Sequence, residues 1–185
     1  MSDQPPAAPE APSISFVVDG RAVTVADDGC SLLEALRDRL AVHGPKDGCS
    51  PQGQCGCCTV LVDGAARVAC VTPARRVAGR TITTVDGLEP AVAESWAEAL
   101  CAVGGSQCGF CTPGIVVRLA ALRERTTDPG EHAPVGRALQ AHLCRCTGWQ
   151  TVIEAWDHLG LPAPVRDLAA AGERATIEGG SPQVV

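Results

Sequence analysis

The sequence predicts an α+β fold in which a small unit of strands and one helix is followed by a helical bundle. Up to Asp86, short β-branched runs alternate with Asp-Gly pairs that are typical of tight turns. From Leu88 onwards, apolar residues recur with a period of about 3.6, which indicates amphipathic helices. In addition, the 11 cysteines fall largely in short clusters within both parts. Together these observations predict two unlike units, each with its own group of thiols.

The first unit is predicted to contain two hairpins, one helix and a last strand. Asp-Gly pairs at 19–20 and 63–64 each separate two apolar runs, as in a β-hairpin. Ser31 followed by Glu34 forms a capping box, and the leucines around it are spaced for an amphipathic helix over 31–41. The β-rich run RTITTV completes the unit, so one helix is expected to lie on a mixed sheet.

Four helices are predicted in the second unit. The second of them begins at Thr112 as N-cap, with Pro113 at its first position. Four helices over about 70 residues favour a compact bundle. The apolar stripes, in chain order, are Leu88, Val92, Trp96, Leu100 and Val103; Val116, Leu119 and Leu122; Val135, Leu139 and Leu143; and Val152, Trp156 and Leu159.

These patterns divide the chain into four parts. Residues 1–12 are rich in Pro and Ala and are expected to form a flexible tail. Residues 13–87 form the predicted α+β unit, and residues 88–163 form the predicted helical unit. Residues 164–185 have little periodicity and are expected to be a second tail.

The composition excludes several classes of function. The 185-residue chain has 15 basic and 21 acidic residues, a net charge of −6, two Phe and no Tyr. Nucleic acid is not an expected partner, because its binders need a basic face or aromatic platforms. No apolar run approaches the roughly 18–20 residues that span a bilayer, and the first residues do not resemble a signal peptide. We therefore expect a cytoplasmic chain without a membrane span.

Four cysteines have a spacing close to that of plant-type ferredoxins. Cys49, Cys55, Cys58 and Cys70 follow the pattern C-x5-C-x2-C-x11-C. The plant-type pattern begins C-x4-C-x2-C, so the first gap here has one extra residue. An anionic cluster needs backbone N–H groups aimed at its sulfurs, and the glycines between these cysteines let the main chain approach closely. We predict that this first cysteine set holds a [2Fe–2S] cluster.

Four further cysteines form the second cysteine set. Cys108 and Cys111 make a C-x2-C pair, while Cys144 and Cys146 make a C-x-C pair at the end of the predicted third helix. Cys111 immediately precedes the predicted N-cap, where free N–H groups and the helix dipole favour an anionic group. The two pairs together predict a four-thiolate site inside the bundle.

Two other interpretations remain open at this point. A zinc site with four cysteine ligands is the first, although a C-x-C pair suits zinc less well. Buried, unreactive thiols are the second, and this interpretation is expected for Cys30, Cys57 and Cys101. Cys57 lies between two predicted ligands and could replace Cys58. Among the remaining residues, Trp96 and Trp156 are expected in the core and His142 on a helix surface.

The motifs GCSPQGQCGCCTVLVDG, SQCGFCTPG and CRCTGW, in this order, resemble the iron–sulfur subunit of the molybdenum hydroxylases, the xanthine oxidase family. The resemblance extends over about residues 14–160. It implies a β-grasp, ferredoxin-like domain followed by a four-helix bundle. It also implies that the first cysteine set holds the cluster nearer the flavin, and the second set the cluster nearer the molybdenum pterin.

The resemblance further implies which partners and contacts to expect. Gln107 matches a position whose side chain contacts the pterin, and Cys146 matches a ligand that also touches it. Electrons would pass from molybdopterin on a large subunit, through both clusters, to FAD on a medium subunit, often in a dimer of heterotrimers. The chain would then be part of an oxidoreductase without a substrate-converting site of its own. A free-standing ferredoxin-type carrier is the alternative.

Overall fold

The structure is a computed structural model that describes residues 12–126 and 132–160. Almost all of the predicted tail 1–12, and the whole predicted tail 164–185, lie outside the described residues. No helix in the described parts of the chain combines the length and the apolar character needed to cross a membrane.

Five strands form one mixed sheet, as the sequence predicts. Their order across the sheet is β2-β1-β5-β3-β4, with β1 and β5 parallel and the other neighbours antiparallel. Both predicted hairpin turns are present, and their four residues, 19–20 and 63–64, all have positive φ angles, as tight hairpins require. The strands are β1 Ser13–Val18, β2 Arg21–Ala26, β3 Thr59–Val62, β4 Ala65–Val68 and β5 Thr81–Thr83.

The helix of the first unit is shorter than predicted. Helix α1 spans Leu32–Glu34 and continues as a wider π-helical turn over Ala35–Arg39. The predicted cap is present, because Ser31 Oγ accepts a hydrogen bond of 3.1 Å from the Glu34 N–H. The helix ends before residue 41 because Ala41 has a φ of 55°, which no α-helix accommodates.

The second unit contains the four predicted helices: α2 Pro90–Val103, α3 Thr112–Arg123, α4 Ala133–Leu139 and α5 Gln150–His158. Trp96 and Trp156 are each only 1% exposed, and their ring centroids are 6.1 Å apart. Both tryptophans therefore lie in the core, as predicted. Short 3₁₀ turns occur at Ala69–Val71, Ala74–Val77 and Val85–Gly87.

Two helix ends differ from the prediction. Helix α3 begins one residue early, with Cys111 as N-cap, because the Thr112 hydroxyl pairs with Ser106 at 2.9 Å instead of capping. Helix α4 ends at Leu139, so Leu143 is not helical and is 59% exposed. The Leu143 N–H instead donates a hydrogen bond of 3.0 Å to the Cys55 carbonyl oxygen, across the junction of the two units.

Helix α3 joins the helical unit to the sheet. It packs on β3 and β4, with Val117 and Ala121 buried against Leu61. At Gly114 the helix comes so close to the first unit that an added Cβ would overlap the Gly56 carbonyl oxygen. Only glycine permits this approach, which brings the two cysteine-bearing regions together.

Candidate metal centres

The first cysteine set is shielded by its own chain. Cys55, Cys58 and Cys70 are buried, and Cys49 is half-buried. The first three cysteines of the set come from the loop before β3, while Cys70 lies in the 3₁₀ turn after β4. The Cys49 thiol interacts with that of Cys55, and the Cys58 thiol with that of Cys70. Cys55 also interacts with Cys57, which is outside the set.

Backbone N–H groups point at the sulfurs of this set. The Gln52 N–H donates to Cys49 Sγ at 3.3 Å, and the Cys70 N–H donates to Cys58 Sγ at 3.4 Å. An added Cβ at Gly48 would lie 3.0 Å from Cys55 Sγ. The glycine therefore lets the main chain approach the thiols closely, as an anionic cluster requires.

Two thiols of the first set, Cys49 and Cys58, have very different pKa values. Partial burial raises the pKa of the Cys49 thiol, but N–H groups of Gln54, Cys55 and Gln52 outweigh this effect and lower the pKa to about 6. Burial raises the pKa of Cys58 to about 12. Cys58 thus keeps its proton at neutral pH until a metal displaces it, so binding of iron at this site would release protons.

The second cysteine set is much more open. Cys108 and Cys146 are exposed, and Cys111 and Cys144 are half-buried. Again the thiols interact in two pairs, Cys108 with Cys146 and Cys111 with Cys144. The pairs join the loop before α3 to the loop before α5. All four thiols therefore meet at one end of the helical unit.

Thr147 is the main polar neighbour of the second set. Its N–H donates to Cys144 Sγ at 3.4 Å, and its hydroxyl lies 3.2 Å from the same sulfur. Partial burial raises the pKa of Cys144, but these Thr147 contacts outweigh it and lower the pKa to about 6. Burial raises the pKa of Cys111 to about 12. Thr147 was not predicted as a site residue, although its position three residues after the predicted ligand Cys144 indicates that it could contact that sulfur.

The pairwise arrangement fits two-iron clusters. Four thiolates hold such a cluster, two on each iron, so the protein needs to supply pairs of sulfurs. In the described residues, no three His, Cys, Asp or Glu side chains converge on a point that could hold one metal ion. The paired thiols and the N–H groups directed at them are the features that match a [2Fe–2S] cluster.

The two cysteine sets lie next to each other and are connected by a backbone hydrogen bond. The Leu143 N–H donates to the Cys55 carbonyl oxygen, and Leu143 is bonded directly to Cys144. Beside it, Thr59 Oγ1 lies 3.2 Å from His142 Nε2. Cys55 of the first set is thus linked to Cys144 of the second through a single hydrogen bond and a few covalent bonds.

The structure corrects two expectations about single residues and agrees with two others. His142 is buried between the units and not on a helix surface, because α4 ends before it. Burial lowers its pKa to about 4. Cys101 is exposed and so is not a packing residue, whereas Cys30 and Cys57 are buried as expected. The exposed side chain of Gln107 lies next to Cys108, at the open end of the second set.

Cys57 lies between the two sets. Its sulfur faces the Cys55 carbonyl oxygen at 3.6 Å, as a donor. Burial and the nearby thiols of Cys55 and Cys111 together raise its pKa to about 12. Of the two adjacent thiols, Cys58 is the one that interacts with Cys70.

Comparisons with known proteins agree with this geometry. The family described as "[2Fe-2S] binding domain" matches residues 84–157. The chain is 41% identical over 143 residues to the nicotine 6-hydroxylase small subunit of Paenarthrobacter nicotinovorans, covering 77% of this chain and 86% of that one. The chain is also 38% identical to xanthine dehydrogenase of Drosophila subobscura, but there it covers 76% of itself and spans only 11% of the relative.

A solved structure has a similar fold. The crystal structure of quinoline 2-oxidoreductase from Pseudomonas putida 86 contains a chain that is 34% identical, with a TM-score of 0.67. The match covers 78% of this chain and 89% of that chain. The likeness therefore extends over both units, and not only over the part matched by the family of [2Fe-2S] binding domains.

Proposed function

Because this chain belongs to the iron–sulfur small-subunit family of the molybdenum hydroxylases, we propose that it is an electron-transfer subunit carrying two [2Fe–2S] clusters. Each cluster, when bound, accepts and releases one electron at a time. The ligands proposed for the first are Cys49, Cys55, Cys58 and Cys70. Those proposed for the second are Cys108, Cys111, Cys144 and Cys146.

One observation carries this proposal above the alternatives. The two cysteine sets adjoin, and the Leu143 N–H···O=C Cys55 bond of 3.0 Å links a ligand of each. A free-standing ferredoxin carrier needs one cluster only, so it would not require a second cysteine set next to the first. In a zinc-stabilised interaction module, a short connection between the two metal sites would have no role, because zinc does not transfer electrons.

The proposed direction of electron flow is supported by the greater exposure of the second set. We propose that the second set faces a molybdopterin-binding large subunit, with Gln107 and Cys146 next to the pterin. Three apolar side chains near this set are exposed: Phe110 by 46%, Leu143 by 59% and Trp149 by 38%. Exposed apolar side chains grouped at one end of a small domain favour a protein interface.

The first set would then pass electrons to FAD on a medium subunit. Its half-buried member, Cys49, lies in a loop beside Val71, which is 57% exposed and contacts Gly53. This offers a second, smaller apolar surface at the other site. In this proposal the first unit is a β-grasp domain and the second a four-helix bundle, and the assembly is a cytoplasmic dimer of heterotrimers.

Metal analysis and spectroscopy of the anaerobically purified chain test the proposal. We expect about four irons and about four sulfides per chain, and two distinct EPR signals after reduction. A pull-down from the native host should also recover a large and a medium subunit. A single iron signal with no partner would support the free carrier instead, and a colourless protein containing zinc would support the interaction module.

A further inference from the structure

A group of arginines lines two adjoining clefts where the sheet meets α3 and α4. One cleft, of about 140 Å³, contains Arg67, Arg118 and Arg125. The other, of about 220 Å³, contains Arg67, Arg118 and Arg137. Because two arginines and two alanines are common to both, the clefts form one continuous basic surface, which we name the arginine cleft. No Asp or Glu lines it among the described residues.

The four arginines have no carboxylate partners within the described part of the chain. The ion pairs there involve Arg39, Arg80 and His132 only. Three of the cleft arginines donate to backbone carbonyls instead, and one of these is Arg67, whose Nη1 donates to the Ala66 oxygen at 3.3 Å. Arg118 Nε donates to the Ala138 oxygen at 3.3 Å, and Arg125 Nη2 donates to the Gly64 oxygen at 3.1 Å. Other N–H groups of each guanidinium thus stay available to a ligand.

The cleft concentrates positive charge within an acidic chain, which has 21 acidic residues against 15 basic ones. Arginines without a carboxylate partner are common here, since Arg39 and Arg80 are the only arginines in ion pairs among the described residues. Four positive charges, with no carboxylate among the described residues that line the cleft, favour an anionic ligand, and the planar guanidinium fork matches a carboxylate in two hydrogen bonds. Arg118 is half-buried, so its charge is less screened by solvent than that of a fully exposed side chain.

We propose that the arginine cleft is a docking surface for a carboxylate-rich segment of a partner subunit. The proposal rests on the function proposed above, in which the chain works within a larger enzyme. An extended acidic segment fits because the charges are spread along two clefts, with Arg125 in one and Arg137 in the other. A segment there would contact both β4 and α4, and so would hold the two units together.

The main test is a charge reversal at two exposed arginines of the cleft, Arg67 and Arg137. The double variant Arg67→Glu/Arg137→Glu is compared with Arg21→Glu/Arg75→Glu, which makes the same charge change at exposed residues that line neither cleft. In the complex isolated through a tag on this chain, we expect the first variant to lower recovery of partner subunits by about tenfold at low salt. We expect no loss with the second variant. Equal losses would overturn the proposal.

A second measurement shows whether the arginine cleft binds carboxylate groups. Hexaglutamate peptide should bind the isolated wild-type chain and lose at least about tenfold in affinity with Arg67→Gln/Arg137→Gln. Binding should also weaken as salt is raised. Hexaglutamine peptide is the control. If inorganic phosphate competes as well as hexaglutamate, the cleft is a small-anion site and the proposal is wrong. It is also wrong if neither probe binds.

Iron analysis of the same samples separates this proposal from the proposed function. Both arginine variants should keep about four irons per chain, since no cleft arginine contacts a proposed ligand cysteine. A full iron content together with unchanged partner recovery would overturn the docking surface alone. Zinc or half the iron in the wild-type chain would overturn the electron-transfer function instead.

Discussion

The two cysteine sets differ chiefly in how well their own chain protects them. Three members of the first set are buried, and Cys58 is only 2% exposed. Two members of the second set, Cys108 and Cys146, are exposed. A site in a sheet loop can be covered from several sides, whereas a site at the end of a short bundle cannot. The first set is therefore shielded by this chain, whereas the second set is open to solvent in the chain alone.

The largest expected effect comes from removing one ligand at each site. Cys146→Ser should abolish the second cluster and lower the iron content from about four to about two per chain. The matched variant Cys58→Ser should abolish only the first cluster. EPR spectra of the reduced proteins should then contain one signal each, and different ones. If both signals vanish in either variant while the fold survives, the sites are not independent.

The next largest effect concerns the rate at which a chelator removes iron from the isolated chain. We expect the second cluster to lose iron about tenfold faster than the first, because exposed groups need little local opening to be reached. The loss is followed by the decay of each EPR signal. In the assembled enzyme the difference should shrink. Equal rates of iron loss from the two clusters in the isolated chain would contradict the view that the first site is better protected than the second.

A smaller effect is expected at the junction of the two regions. Gly114→Ala should lower the free energy of unfolding by about 2 kcal/mol or more, because its Cβ would overlap the Gly56 carbonyl oxygen. Gly136→Ala in α4 is the control, since nothing lies within 4 Å of its added Cβ. It should stabilise the helix by up to about 1 kcal/mol. Denaturant unfolding measures both, and equal effects would contradict the close packing.

The smallest effect is expected from Cys57→Ala. This thiol lies between the sets but faces the Cys55 carbonyl oxygen, so the iron content and both EPR signals should be retained. Cys58→Ala, one residue on, should lose the first cluster. Should the two variants behave alike, Cys57 would be able to replace Cys58, as the sequence left open.

The sequence predicted the sheet, the four helices and the grouping of the cysteines because each depends on local signals. The Asp-Gly turns, the Ser31 cap and the helical stripes need only a few neighbouring residues. What it missed depends on contacts between units. Helix α4 ends early because the Leu143 N–H bonds to Cys55, far away in sequence. His142 is buried for the same reason, and nothing in its local pattern indicates this.

Helix α3 bears on the rate of the proposed electron transfer. Its N-cap is Cys111, a proposed ligand, and its later turns pack on the first unit through Gly114, Val117 and Ala121. The helix therefore sets the distance between the two cysteine sets. Larger side chains on its sheet-facing side would push the two proposed clusters apart and slow electron tunnelling between them, although none of these three residues is a proposed ligand.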